Sequence, residues 1–483
     1  MSHRGFMGKK RGVDPCAYVP GLYTEAEVDD LINIDGYIPV ASAEEFDLIR
    51  TGDTETMGGC SKWAGSYITG AGEKYVQIFD IDFTGVSHEP FSLTSGGIYD
   101  GNDFTISNLN YTGGSILRYA LFDILTSATL RNIKISDFNI LSSSDAGSRI
   151  VSGLCAAVAG GTSSLIENIE ANNISVETSS TSSVPNRASV ICGIVGSTSL
   201  NTEIRNIEVV DSHVVSRGTF SGVTIYGQGL ILAGEIADTG TIISNCNATN
   251  CSITSAQNYS GGIVGYSNAE IENCKVRNLT ITPIKSGILW SRFGGIVGQQ
   301  FANNITNCSA TGAIEGRFGV GGIVGFINSA GINIDECWAD VDVIGEQTVG
   351  GFIGGLRQNS SVADSYSYGN ATRNGGILGV GGFVGEMRTG TPTITNSYST
   401  GSAIDSSSPA DVGGFCGLRT NGTVTDSYWD TVTSGNATSD GGTGQTTAQL
   451  QAPTTASGIY ADWSDLIWDF GTDSEYPELI NTP

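Results

Sequence analysis

A glycine-hydrophobic pentad returns at nearly constant spacing through the chain, and no other feature limits the possible folds as strongly. It reads GGIVG at 261–265, 294–298 and 321–325, then GGFIG at 350–354, GGFVG at 381–385 and GGFCG at 413–417. The intervals are 33, 27, 29, 31 and 32 residues, and looser copies stand at 192–196 and 229–234. A second signature falls between the pentads: ISNCNAT at 243–249, IENCKVR at 271–277, ITNCSAT at 305–311, IDECWAD at 334–340, VADSYSY at 362–368, ITNSYST at 394–400 and VTDSYWD at 424–430. Earlier versions are LRNIKIS at 130–136, IENIEAN at 166–172 and IRNIEVV at 204–210. A fixed period of this size means one supersecondary unit stacked on copies of itself.

The unit is built of short strands. Its apolar runs are four to six residues long, rich in Ile and Val, and bounded by Gly, Asn, Ser and Thr, which is strand and turn chemistry. Helical repeats of this length would need ten-residue stretches of Ala, Leu, Glu and Lys, and a propeller blade would need about four strands in ~40 residues. Glycine, though 67 of 483 residues, follows no three-residue period, so a collagen helix is excluded. With 39% hydrophobic residues the chain can bury a core, so disorder is not expected. The expected fold is all-β, a right-handed parallel β-helix with short capping segments at both ends. Ten coils at ~4.8 Å would give a rod of roughly 50 Å.

Charges set the register of the second signature. The column Ile133, Ile169, Ile207, Cys246, Cys274, Cys308, Cys337, Ser365, Ser397, Ser427 is small or apolar. So is the column two residues on: Ile135, Ala171, Val209, Ala248, Val276, Ala310, Ala339, Ser367, Ser399, with Trp429 at its end. Both should face inward. The column between them carries Lys134, Glu170, Glu208, Asn247, Lys275, Ser309, Trp338, Tyr366, Tyr398 and Tyr428; because side chains alternate along a strand, it should face outward. The four aligned cysteines then read as free, buried thiols, since an in-register ladder does not meet disulfide geometry. No histidine or CxxC pair accompanies them, so no metal site is expected.

Composition excludes several functions. Asp and Glu outnumber Lys and Arg by 49 to 23, for a formal charge of −26, which argues against nucleic acid as partner. His3, His88 and His213 are scattered, so neither a His-based zinc site nor a Ser-His-Asp triad is expected. The N-terminus has basic residues without an apolar stretch behind them, and no run of ~20 apolar residues follows, so neither a secretory signal nor membrane insertion is expected. The glycine-rich GGTG at 441–444 lacks the Lys-Ser/Thr of a phosphate loop. No cofactor is expected.

The pentads and the intervening N-C-x-A/T segments resemble GLUG-motif repeats, a family associated with bacterial surface, adhesin-like and phage-borne proteins. The segments YIPVASAEEFDLI (37–49), YVQIFDIDFTG (75–85) and GIYDGNDFTISNL (97–109) are similar to the lead-in of such proteins, and SYWDTVTSGNATSDGGTGQTTAQL (427–450), WDFG (468–471) and YPEL (476–479) to their tail. The resemblance covers roughly 37–483 and implies a β-helix with a surface role, but carries over no catalytic residue. The organisation read from the chain is an N-terminal arm or anchoring segment at 1–36, an N-terminal cap and first coils at 37–125, GLUG-type coils at 126–430 and a C-terminal cap at 431–483. Ser42-Ala43-Glu44-Glu45 has the form of a capping box that starts a helix over one end; Trp463, Trp468 and Phe470 are expected to plug the other.

Three functions are weighed. The leading one is a structural or adhesive fibre or spike subunit of a phage or virus particle, attaching to a host-surface glycan or protein; its location would be the virion, or else a bacterial surface. Trp338, Tyr366, Tyr398 and Tyr428 are the candidate ligand-binding strip, because contiguous exposed aromatic surface marks interaction sites. The alternatives are a polysaccharide-degrading β-helix enzyme and a purely architectural particle protein. For the enzyme, Asp340 and Asp342 alternate on one strand beside Trp338, roughly ~7 Å apart, a spacing compatible with paired-carboxylate hydrolysis. Among 49 acids such a pair is first read as solvated charge. The arm is expected to dock on other particle proteins, and a homo-oligomer is expected.

Overall fold

The computed structural model describes residues 18–52, 62–63, 74–94, 96–113, 117–143, 149–180, 186–196, 201–218, 228–230, 232–255, 258–284, 291–376, 378–406 and 411–481. Three long sheets of 29, 11 and 10 strands run through them, with one two-stranded ribbon near the end. Strands of successive coils pair in parallel, so the chain is a parallel β-helix solenoid. One turn runs Tyr259–Gly261, Val264–Ser267, Glu270–Glu272, Lys275–Pro283 and then Arg292–Gly294, which lies on Tyr259–Gly261 of the coil before.

The expected register holds. Lys134, Glu170, Glu208, Asn247, Lys275, Ser309, Trp338, Tyr366, Tyr398 and Tyr428 are Cα partners one after the next. The corner before each inward column is made by a residue with positive φ: Asn132, Asn168, Asn206, Asn245, Asn273, Asn307, Glu336, Asp364, Asn396 and Asp426 lie between 42° and 54°. Asparagine tolerates this conformation, and its amide adds a ladder: Asn168 donates to Asn132 at 2.9 Å, Asn206 to Asn168 at 3.0 Å and Asn307 to Asn273 at 2.7 Å.

The residue after this corner shows why cysteine and serine alternate there. Each side chain donates to the carbonyl two residues back: Cys308 to Thr306 at 3.2 Å, Cys337 to Asp335 at 3.2 Å, Ser365 to Ala363 at 2.6 Å, Ser397 to Thr395 at 2.7 Å. Three of these four also accept from the backbone N–H of the preceding coil: Cys337 from Cys308, Ser365 from Cys337, Ser397 from Ser365. The thiols therefore do a hydroxyl's work, answering backbone groups that the corner takes out of the sheet. All eight cysteines among the described residues are free and buried, and burial pushes the Cys246 and Cys308 thiols well up. We expect Cys246, Cys274, Cys308 and Cys337 to resist iodoacetamide in the folded protein and all to react in denaturant without prior reduction. A mass spectrum showing any pair of them disulfide-linked contradicts this register.

The pentad glycines are a matter of space. A Cβ on Gly262, Gly295, Gly322, Gly351 or Gly382 would stand 2.1–2.3 Å from the carbonyl oxygen of the next pentad. On the other side the same Cβ would press on Val276, Ala310, Ala339 or Ser367 at 2.6–2.9 Å, members of the small inward column. The coil is narrow because two small-residue columns face each other across it. Behind the pentads, Phe352, Phe383 and Phe415 stack inside the rod at 4.5 and 4.7 Å.

Both ends are closed, though not wholly as expected. Helix α1 (Glu25–Asn33) has the capping box Thr24/Glu27, and helix α2 (Ala43–Thr51) is capped by Ser42. The expected box at Ser42 is only half made, because Glu45 accepts from the Ala41 N–H at 2.8 Å, one residue before the cap. Helix α2 drops Phe46 into the open mouth of the first coil. Residues 18–36 are not the free arm that the sequence suggested: Val28 and Ile32 pack with Tyr37, Trp63, Val76 and Ile78. Leu22 N–H bonds Asn102 O at 3.0 Å and Tyr23 bonds Asp100 at 2.8 Å. The apolar face of α1 had to be buried somewhere, and the first coil offers the place. Residues 1–17 lie outside the described residues. At the other end the plug is Trp429, whose ring lies over Gly414 and whose indole N–H reaches Asn436 O at 2.9 Å. Ser439 Oγ takes the Phe415 and Cys416 N–H groups, closing an edge that would otherwise be left unpaired. Trp463, Trp468 and Phe470, expected as plugs, lie on the flank instead.

Candidate functional site

Beyond the last coil, helix α3 (Thr447–Gln451), a 3-10 turn (Gly458–Tyr460) and the ribbon Trp468–Asp469 with Glu478–Leu479 form a strap. It runs back along the outer face, because that face carries the aromatic column. Trp338, Tyr366 and Tyr398 stack at 5.8 and 5.3 Å with rings within 11° of parallel. Over them lie Leu450, Tyr460, Trp463, Trp468, Phe470 and Leu479. Polar tips fasten the strap: Tyr428 donates to Ile459 O at 2.5 Å, Trp463 to Asp426 O at 2.9 Å, Trp468 to Asp364 Oδ1 at 2.9 Å and Tyr398 to Pro477 O at 2.6 Å.

This changes the reading of the aromatic strip. Its column points out of the coil, as the charges upstream required, but Tyr366, Tyr398 and Tyr428 are 3, 0 and 8% exposed. Their partner is the chain's own strap, and they are not open to a ligand. Trp338, at the upstream end, stays half-buried. The open aromatic surface has moved to the margin of the strap, where Tyr368 and Tyr476 meet at 6.2 Å and 52°. Tyr368 follows Tyr366 by two residues, so the same alternation that placed Tyr366 outward also placed Tyr368; Tyr476 could not be placed from the repeat.

The two tyrosines line a cleft of about 390 Å3 with Asp469, Gly471, Glu475 and Glu478. Asp469 and Glu478 are direct cross-strand partners in the ribbon, both exposed. Glu475 is turned back to Thr472, accepting from its N–H and hydroxyl at 2.9 Å. The Tyr398 proton goes to Pro477 O, so in the 2.9 Å contact between the two hydroxyls Tyr368 is the donor. Burial, with Glu478 and Asp340 nearby, raises the Tyr368 hydroxyl, which stays protonated at any physiological pH.

Asp340 and Asp342 lie exposed on the outward face of strand Trp338–Gly345. Asp342 accepts from the Asn370 N–H and side-chain amide at 3.1 and 2.9 Å, while burial and then Asp342 raise the Asp340 carboxyl. His88 is packed in the N-terminal plug with Nε2 at 2.8 Å from Leu121 O, and His213 lies at the start of strand His213–Gly218; His3 lies outside the described residues. Among the described residues no three His, Cys, Asp or Glu side chains are grouped to hold a metal.

Comparison with known proteins agrees with the repeat. The GLUG motif model matches residues 256–282 and 291–315, each spanning most of a coil with both its pentad and its N-C signature. No curated protein matches the chain. A solved structure, described as a "putative immunoglobulin A1 protease" from Bacteroides ovatus, aligns over 92% of each chain at 16% identity with a TM-score of 0.32, too low to carry any argument. The chain carries GLUG-motif repeats, and the motif is a turn of its parallel β-helix.

Proposed function

We propose that the protein is a rod-shaped attachment subunit, displayed on the outside of a phage or virus particle or of a bacterial cell, which holds a surface glycan in the cleft beside the strap. The observation that carries this reading is the cleft itself. Two phenol rings set in a V supply faces for a sugar ring, and carboxylates at the rim supply acceptors for its hydroxyls. Asp469 and Glu478 stand directly opposite each other, an arrangement that destabilises a strand pair. Asp469 also accepts from the Gly471 N–H at 3.0 Å and so serves the turn of the ribbon, which leaves Glu478 as the carboxylate at the mouth of the cleft that a ligand explains better than folding. Docking on other particle proteins and a homo-oligomeric assembly belong to the same reading.

The test uses that conflict. Asp469→Asn with Glu478→Gln should weaken capture of surface polysaccharide at least tenfold, and should leave thermal stability unchanged or slightly raised, by a few tenths of a kcal/mol. Unaltered capture on a glycan panel removes the cleft as the attachment site, and no capture by the native protein leaves an architectural rod. A second reading, hydrolysis of the bound polysaccharide, is favoured by Asp340, whose carboxyl is raised by burial and then by Asp342; a raised carboxyl beside a second carboxyl group suits acid-base work. Release of reducing ends that Asp340→Asn abolishes would establish it.

A further inference from the structure

Upstream, the positive-φ corner is an asparagine ladder in which Asn168, Asn206, Asn245 and Asn307 each donate to the asparagine of the coil before. The ladder breaks at coil 334–340, where Glu336 replaces asparagine, and Asp364 follows in the next coil. The break coincides with the strap: Trp468 sits on Asp364, which is 9% exposed and accepts its indole N–H. It also leaves two buried acceptors without a donor in neighbouring coils, Asn307 Oδ1 and Asp335 Oδ1. Asn307 N–H bonds Asp335 O at 3.0 Å, so the two residues are adjacent.

From this geometry we infer that Asp335 is a proton-operated latch for the C-terminal strap: with Asp335 protonated the strap seats firmly, and with Asp335 ionised it loosens. The charges acting on Asp335 are Asp364 and Glu336, both negative. The preceding coil offers it Thr306 and Asn307, and the strap brings Trp468 to the neighbouring Asp364, none of them charged. Seating Trp468 on Asp364 removes water that would screen Asp364 from Asp335, so ionised Asp335 opposes docking. A proton on Asp335 ends the repulsion, leaves Asp364 as a charged acceptor for the indole, and supplies the donor that the two buried oxygens lack. Burial, then Asp364 and Glu336, raise the Asp335 carboxyl to about 6. An acid raised further by the seated strap favours seating while it is protonated, and that contribution is lost as pH rises through about 6. The strap forms most of the wall of the glycan cleft, so the inference rests on the attachment reading for its consequence: capture should be tighter at mildly acidic pH.

A whole-protein melting curve would mix this with the opposite trend at the other end. There His88 is buried neutral with its pKa lowered to about 4, so the N-terminal coils lose stability as pH falls from about 6.5 towards 4. The experiment is therefore hydrogen exchange resolved by segment, corrected for intrinsic rates, at pH 5.0 and 7.5, on the native chain and on Asp335→Asn, with capture of the same glycan panel measured in parallel. Residues 459–479 should open several-fold more often at pH 7.5 than at pH 5.0, the effect of one partly screened like-charge contact. Asp335→Asn should be protected at both values, because asparagine carries no charge and brings the missing donor. A native strap indifferent to pH, or a variant that keeps the native pH dependence, overturns the latch. Protection that follows the proton while glycan capture is absent at both pH values supports the latch and overturns the attachment reading alone.

Discussion

Phe46→Ala is expected to unfold the N-terminal end of the rod while the C-terminal coils stay folded. Phe46 is fully buried, and its ring is met by Phe83, His88, Phe91, Tyr99 and Phe122 with centroids 5.2–5.7 Å away. Removing a fully buried phenyl costs about 3–5 kcal/mol, the lost transfer energy plus the cavity left behind. Little can collapse into that cavity, because its walls are strands already fixed to the next coil. In a solenoid each coil is held by its neighbours alone, so the loss is felt where it occurs. Exchange protection should therefore fall in residues 74–125 and remain in 291–430. A uniform loss along the chain would show that the rod unfolds as one unit and that α2 is not a local plug. The opened end would also let His88 take up a proton near its ordinary value, so the variant's stability should respond less to acid than the native protein's does.

The interior of the rod was legible from the sequence because its constraints repeat. A single Asn-Cys pair says little, but ten copies of the signature around it in one frame show which positions tolerate charge. The alternation from Ile207 to Cys246 to Ser365 becomes intelligible once both flanking columns are in view. The strap was not legible, because it does not repeat. Its residues carry no period against which to read a face, and Trp463, Trp468 and Phe470 are equally apolar whether they plug an end or cover a flank. The signal that could have separated the two lay in the column itself. From Lys134 through Lys275 it is charged or polar, and from Trp338 onward it is aromatic at every step. A change of that kind on an outward column means that something covers it, and a chain with an aromatic-rich tail after its last coil already supplies the cover. The corner column carries the same message, since asparagine gives way to Glu336 and Asp364 where the strap begins. Likewise the acidic residues of helix α1 are used at home, with Lys62 bonding Glu25 at 2.8 Å and Asp29 at 2.9 Å.

Gly322→Ala should be among the most damaging single-methyl changes this chain can receive. The added Cβ would lie 2.2 Å from Gly351 O and 2.7 Å from the Ala339 Cβ. Neither neighbour can yield cheaply, since one is the backbone of the next coil and the other belongs to the opposite wall of a narrow core. Parting the coils would stretch hydrogen bonds such as the 3.0 Å contact from Gly295 N to Gly322 O, and it would open both faces of the coil to the same strain. Overpacking of this kind costs typically 1–3 kcal/mol and more where backbone must move, so about 3 kcal/mol is expected. Gly331→Ala is the control. Gly331 has φ +78° but nothing within 4 Å of its Cβ position, so alanine there meets conformational strain alone, worth about 1–2 kcal/mol. If the pentad glycines were kept for backbone freedom, Gly331 would be the costlier site. The opposite order, with the denaturant midpoint of Gly322→Ala well below that of Gly331→Ala, is what close packing of coil on coil requires.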